Sequence, residues 1–438
     1  MPEPASGLRW AHPSANGSFP PGRTFWLFLW QVLSADRSCR EVVQAFLACC
    51  AVTGEEKEPS PNTAAYCKAR QRLASRPIRA AHEALCQHIE TPARTQRRWC
   101  GRNVKVVDGS GLSMPDTAAN QERYPQSKTQ KPGCGFPELG MVALFSLTTG
   151  AMLDYAFGNR HTHERTLFRS LWDTLARGDI VLADRGFCGF AEFYYLLQRG
   201  IDSVMRLHQR RTKGVRILKR LGAGDTLVQW TKSKVQPKWL TKEQWEALPD
   251  TLIVRHITLT PTCPGFRTKK ITVATTLLDP NDYPPAAIAE LYRRRWLCEL
   301  YLRDIKISLG MDILRCKTPD MVEKEVAMHV IAYNLIRLIL LDAATQAGIA
   351  PERISFKGTV QTLRQWLPRL DTLEPLEYLS LYPRMLRAIA RAPVPNRPGR
   401  VEPRARKRRP KNYQLLTQQR HQFKESPHRN RYRKGTLS

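Results

Sequence analysis

Two short apolar runs in this chain end in the same way. Val104-Lys-Val-Val-Asp108 and Ile180-Val-Leu-Ala-Asp184 each close on an aspartate, and glycine follows within two residues, at Gly109 and Gly186. Runs of this length, rich in Val and Ile, read as buried strands. An aspartate at the end of a buried strand adds little to packing. It is well placed for chemistry, because α/β sheets carry their sites at the carboxyl ends of parallel strands. Between the two runs, Met141 to Leu147 and Met152 to Phe157 read as two more strands around a Thr-Thr-Gly turn. An amphipathic helix, Glu164 to Ala176, follows them. After the second run come a helix, Phe190 to Gln198, and a strand, Ile201 to Leu207.

The order β-β-β-α-β-α-β places three strands before any helix. A doubly wound sheet would alternate from the start. The expected fold is α/β: an RNase H-like core interrupted by a β-rich insertion, with an N-terminal helical domain and a basic C-terminal tail. Residues 1–22, rich in Pro, Gly and Ser, read as a disordered lead without a signal peptide. Residues 23–99 read as helical. Ser38-Cys-Arg-Glu41 has the form of a capping box, and Ser60-Pro-Asn-Thr63 starts a second helix carrying Lys68, Arg70 and Arg72. Two short helices with a basic second member suit a helix-turn-helix-like DNA contact. A plain helical bundle fits the same pattern. The core's first part spans 100–208 and the insertion 209–273. The second part, with C-terminal helices, spans 274–392. The tail spans 393–438; Arg391 to Ser438 holds fifteen Lys and Arg against two acids.

Charge narrows the partner. The 438 residues include 69 Lys and Arg against 39 Asp and Glu, a formal net charge of +30. Such an excess points to a polyanion, most simply nucleic acid. The richest apolar runs, Phe25 to Trp30 and Leu338 to Leu341, fall well short of a membrane span, so no membrane partner is expected. Eleven cysteines without a Cys-x-x-Cys pair read as free thiols in a reducing compartment, not as a zinc site. The expected location is the cytoplasm.

A third carboxylate comes from a long helix expected from Pro284-Pro285 to about Leu309. It carries Tyr292, Arg295, Glu299 and Lys306. At about 100° per residue these four fall within an arc of about 60°, spread along about 21 Å of helix. Asp108, Asp184 and Glu299 together form an all-oxygen donor set, suited to Mg²⁺ or Mn²⁺. Arg295 and Lys306 would hold phosphates beside it. Taken alone, the helix pattern is also that of a solvated face stitched by Arg–Glu pairs.

With these pieces the chain resembles the bacterial insertion sequence 4 type of transposase, which carries a DDE catalytic triad. The resemblance rests on Asp-Gly-Ser at 108–110, Asp-Arg-Gly-Phe at 184–187, and Tyr292, Arg295, Glu299 and Lys306 at the family spacing. It extends over roughly residues 25 to 417. It implies cut-and-paste transposition with two Mg²⁺ ions on Asp108, Asp184 and Glu299, Mn²⁺ substituting. Tyr292, Arg295 and Lys306 would hold the phosphates of the element's ends. The implied partners are double-stranded DNA, as terminal inverted repeats and target, and a second copy of the chain in the synaptic complex. A hairpin intermediate and a tryptophan stacked on a flipped base are also implied, with Trp230, Trp239 and Trp245 as the choices. The alternative is a catalytically silent or domesticated DNA-binding protein or repressor derived from such an enzyme. An RNase H-fold nuclease acting in repair is the third reading. His161-x-His163-Glu164 reads as a polar helix start, Cys49-Cys50 as packing thiols, and Asp116, Glu122 and Asp154 as surface acids.

Overall fold

The computed structural model describes residues 19–53, 60–91, 98–128, 131, 133–208, 215–260, 270–370, 375–395 and 422. Residues 1–18 of the expected lead and nearly all of the expected tail lie outside these, as do 209–214 and 261–269 of the expected insertion.

The strands are β1 (Val104–Ser113), β2 (Glu138–Ser146), β3 (Met152–Asn159), β4 (Ile180–Ala183), β5 (Asp202–Arg206), β6 (Arg216–Gly222), β7 (Asp225–Thr231), β8 (Thr251–Leu259) and β9 (Ile271–Thr275). They form one nine-stranded sheet in the order β3-β2-β1-β4-β5-β9-β8-β7-β6. β1 pairs antiparallel with β2 and parallel with β4, and β4 is parallel to β5. The expected insertion is β-rich, and its strands extend this same sheet: β9 returns to pair antiparallel with β5. A further difference lies at Gly109-Ser110-Gly111, beyond the aspartate on which the first apolar run was expected to close. β1 runs straight through it, because β2 keeps pairing with it, Gly109 with Val142 and Ser110 with Met141.

The helices are α1 (Pro21–Leu33), α2 (Cys39–Thr53), α3 (Thr63–Arg72), α4 (Ser75–Ile89), α5 (Ala118–Arg123), α6 (Glu164–Arg169), α7 (Phe190–Gln198), α8 (Lys242–Glu246), α9 (Pro285–Arg294), α10 (Trp296–Arg303), α11 (Pro319–Ala347), α12 (Phe356–Leu370) and α13 (Pro375–Ala390). α1 starts inside the expected lead, with Pro21 at its amino end, where a missing N–H costs nothing. Ser38 Oγ accepts from the Glu41 amide, as a cap for α2 should. α6 is shorter than expected and gives way to a tight turn at Trp172–Thr174.

Alternation along β1 and β4 divides the core between two faces. Val104, Val106 and Leu182 bury one face, together with Val326, Val330 and Tyr333 of α11. Val107, Val181 and Ala183 bury the other with Phe168 of α6 and Phe193 of α7. Contrary to the sequence reading, α11 is long and apolar enough to cross a membrane by length and composition. Yet 72% of its apolar window is buried within the fold, where it serves as the central core helix. It also holds the β2–β3 turn: Tyr333 Oη donates to Gly150 O at 2.7 Å, and Arg337 Nη2 to Thr149 O at 2.7 Å. Gly150 has φ +73° there, and a Cβ would lie 2.2 Å from Arg337 Nη2, so both backbone and neighbour require glycine.

Candidate active site

The sheet brings the two aspartates together. β1 and β4 are parallel, with Val107 opposite Ala183. Asp108 and Asp184 are the next residue on each strand, on chains about 4.8 Å apart. Both are half-buried. Asp108 Oδ1 accepts from the Gly109 amide at 2.8 Å.

The helix expected to carry the third carboxylate is broken. α9 ends at Arg294, α10 begins at Trp296, and a π-helical turn, Asp304–Ser308, ends the segment. Arg295 itself keeps helical backbone angles, φ −51° and ψ −32°, so the interruption is local. The break still points the residues at the sheet. Arg295 stands between α9 and α10, and its Nη2 donates to Glu299 Oε1 at 2.8 Å while Nη1 lies 3.5 Å from Asp108 Oδ2. The wider π turn brings Lys306 down to β1, where Nζ donates to Ser110 Oγ at 3.0 Å and Gly111 O at 2.8 Å. Tyr292 is buried. Burial pushes its phenol well above the usual range, with Asp184 adding to the shift and Arg295 opposing it.

Electrostatics define the centre. Burial pushes the Asp108 carboxyl up to about 6, helped by the charges of Glu299 and Glu164 and opposed by the Gly109 amide and Arg295. Arg295 is held firmly charged by Tyr292, Glu299, Asp108 and Asp184 against its own desolvation. Carboxylates crowded in this way favour a cation among them. Among the described residues, no three His, Cys, Asp or Glu side chains gather tightly enough to hold an ion. The positive charge between Asp108 and Glu299 is the guanidinium itself. Asp108 and Glu299 are the oxygen donors on either side of that charge.

With this geometry the comparisons have a meaning. Residues 99–335 match the family model for the Transposase DDE domain, more than half of the chain. The chain belongs to the DDE transposase family. The transposase is 27% identical over 358 residues to "Transposase InsG for insertion sequence element IS4" of Escherichia coli (strain K12), covering 80% of this chain and 77% of that one. A solved structure, a piggyBac transposase synaptic complex with hairpin DNA, is similar over 83% of this chain and 74% of that chain, at 11% identity and a TM-score of 0.42. The function of this enzyme is DNA transposition.

Other expected residues lie apart from the centre. Lys68 and Arg72 are exposed on α3, but Arg70 is not available to DNA. It is buried, its Nη1 donates to Gln31 Oε1 at 3.1 Å, and it lies 4.9 Å over the Phe28 ring. At α3 spacing Arg70 falls on the face toward α1, where Tyr66 donates to the same Gln31 oxygen. Trp230 is likewise committed inward, donating to His256 Nε2 at 2.8 Å. Trp239 packs against Trp172 and under Arg169, and Trp245 under Lys232. Sequence reasoning passed over Trp296, 57% exposed beside Arg295. Its signal was an aromatic immediately after the signature arginine. His163 Nδ1 accepts from the Arg165 amide and caps α6, as a polar helix start should.

Proposed function

We propose that this transposase cuts its insertion sequence free and joins it to target DNA, with Asp108, Asp184 and Glu299 holding two Mg²⁺ ions, Mn²⁺ substituting, in an RNase H-like core. The observation that carries the reading is the link from Asp108 on β1 to Glu299 on α10, made by Arg295 between them. Cations bound there supply charge stabilisation at the phosphoryl group and lower the pKa of an attacking water.

The side chains of the chain do the rest. Were Asp108 and Glu299 to hold cations, Arg295 would be free to present its two-pronged fork to a phosphate of the element's end. Lys306 turns from Ser110 and Gly111 to a neighbouring phosphate as a point charge. Tyr292 stays protonated and serves as a buried prop for Arg295, never as a nucleophile. The first cut leaves a 3′-OH on the element. That hydroxyl attacks the opposite strand to give a hairpin and, once the hairpin opens, attacks target DNA. Each displacement is in line at phosphorus, so positioning carries much of the catalysis. Trp296 offers the exposed ring on which an unstacked base would rest. Lys68 and Arg72, with the basic residues of 393–438, add contacts to the terminal repeats and flanking duplex, and a homodimer holds the two ends. The reaction takes place on DNA in the bacterial cytoplasm.

The test is nicking and strand transfer on duplexes that carry the element's terminal inverted repeats, with and without Mg²⁺. Asp108→Asn, Asp184→Asn and Glu299→Gln are each expected to lower cleavage at least ~10³-fold, about 4 kcal/mol of transition-state stabilisation, while duplex binding persists. Near wild-type cleavage by Glu299→Gln overturns the assignment. A wild-type chain that binds its ends and never cuts them would favour the silent-binder reading.

A further inference from the structure

The loop between α1 and α2 makes a contact that the chemistry above does not use. Arg37 has φ +57° there, a left-handed backbone that a residue other than glycine adopts only where its surroundings impose it. Here they do. Gln31 Nε2 of α1 donates to Arg37 O at 3.0 Å, and Glu41 Oε2 of α2 accepts from the Asp36 and Arg37 amides at 3.2 and 3.1 Å. Arg364 Nε of α12 donates to Leu33 O, at the end of α1, at 2.7 Å.

This strained loop aims its arginine at the catalytic segment. Arg37 Nη1 donates to Leu309 O at 3.2 Å and to Gly310 O. Both carbonyls directly follow the π-helical turn that carries Lys306, and a cation suits the unpaired acceptors at a helix end. Gly310 is shaped for the contact: its φ is +73°, and a Cβ would lie 1.7 Å from Arg37 Nη1. β1 holds the same segment. The Asp312 amide donates to Lys306 O at 3.2 Å, the Ser113 amide to Asp312 O at 3.1 Å, and the Leu314 amide to Ser113 O at 2.9 Å. Lys306 therefore sits in a turn gripped by β1 and by the α1–α2 loop, and its Nζ rests on Ser110 and Gly111, just past Asp108.

We propose that Arg37 is a positioning residue for DNA cleavage: by holding the Leu309 and Gly310 carbonyls it fixes the turn that places Lys306 beside Asp108. This rests on the phosphate role proposed above for Lys306. Arg37 acts through Lys306 and contacts no reacting atom. Gln31, Glu41 and Arg364 tie its loop to α1, α2 and α12, so the N-terminal helices reach the centre through this side chain. A small misplacement of a phosphate-holding group, made from a distance, costs up to about 100-fold in rate.

Single-turnover cleavage of terminal-repeat duplexes by the full chain, with protein saturating and Mg²⁺ present, tests this. Arg37→Ala is expected to lower the cleavage rate about 10- to 100-fold while duplex affinity stays within about twofold. Arg37→Lys, which keeps a donor for the carbonyls, should fall between Ala and wild type. Arg37→Gly relieves the left-handed backbone, so it should melt no lower than Arg37→Ala and still cleave as slowly. The deciding measurement is the double variant. In a Lys306→Ala background Arg37→Ala should slow cleavage less than about twofold further, whereas a merely structural loss would multiply with it. Full multiplication, or wild-type cleavage by Arg37→Gly, overturns the positioning role while leaving Lys306 its phosphate. Wild-type cleavage by Lys306→Ala overturns the phosphate role on which the proposal rests.

Discussion

Asp225→Ala should be among the most damaging single changes in the chain, although it lies far from the chemistry in sequence. Arg255 is fully buried on β8, with its side chain 0% exposed, and Asp225 on β7 is 3% exposed. The pair is two-pronged: Nε donates to Oδ1 at 2.8 Å and Nη2 to Oδ2 at 2.5 Å. The remaining nitrogen, Nη1, donates to the carbonyls of Leu277, Asp279 and Tyr283, the segment that leads into α9. Removing Asp225 leaves a guanidinium that cannot lose its proton in an interior that cannot solvate it. Breaking a buried pair from one side costs about 3–5 kcal/mol, more than two factors of ten in folding equilibrium. A surface pair would cost less than about 1 kcal/mol. Urea unfolding followed by tryptophan fluorescence reads this directly, because Trp230 on β7 packs 5.0 Å from Phe193. The loss should be the same in low and high salt, since water and ions do not reach the pair. Replacing both partners, as Asp225→Leu with Arg255→Met, should restore part of the stability. Asp225→Ala unfolding within about 0.5 kcal/mol of wild type would refute the argument.

Acid should weaken the fold through His256. Burial pulls its imidazole down to about 4, and Nε2 is occupied as the acceptor from Trp230, so the fold favours the neutral form. Its contribution is complete above about 6.5 and is lost as pH falls from 6.5 toward 4. By pH 5 that amounts to about 2 kcal/mol. His256→Gln keeps an acceptor for the indole and should flatten this part of the profile in unfolding at pH 7 and pH 5; an unchanged profile would show that His256 does not contribute. Arg70 and its neighbours on α3 should separate by readout. Arg70→Ala should lower thermal stability by removing a buried donor to Gln31, whereas Lys68→Ala and Arg72→Ala should each reduce the salt slope of DNA binding by about 1 and leave stability nearly unchanged. Equal effects of the three on both measurements would contradict their different burial.

How much was legible depends on the range of the interaction. The apolar runs before Asp108 and Asp184 were readable because alternation and apolar runs are local, but the continuation of β1 past Asp108 to Ser113 depends on pairing with β2 and was not. Arg70 was misread because charge predicts exposure only on average. Gln31 and Phe28, both on α1, form its burial site together with Tyr66 of its own helix, and no window around residue 70 contains Gln31 or Phe28. The break at Arg295 was hidden for a similar reason. An unbroken helix satisfies the local pattern, and the contact of Arg295 with Asp108 on β1 lies outside any local window. These cases share one cause. The signature gives the identities of the charged groups, while the sheet decides which of them meet. At Arg295 that meeting has a functional consequence. Arg295 stands between Asp108 and Glu299 and balances their charge, and on the proposed function it would be free for phosphate once those carboxylates held cations. On that reading, cation uptake and end binding should favour each other, and Arg295→Ala should remove the coupling before it removes either one.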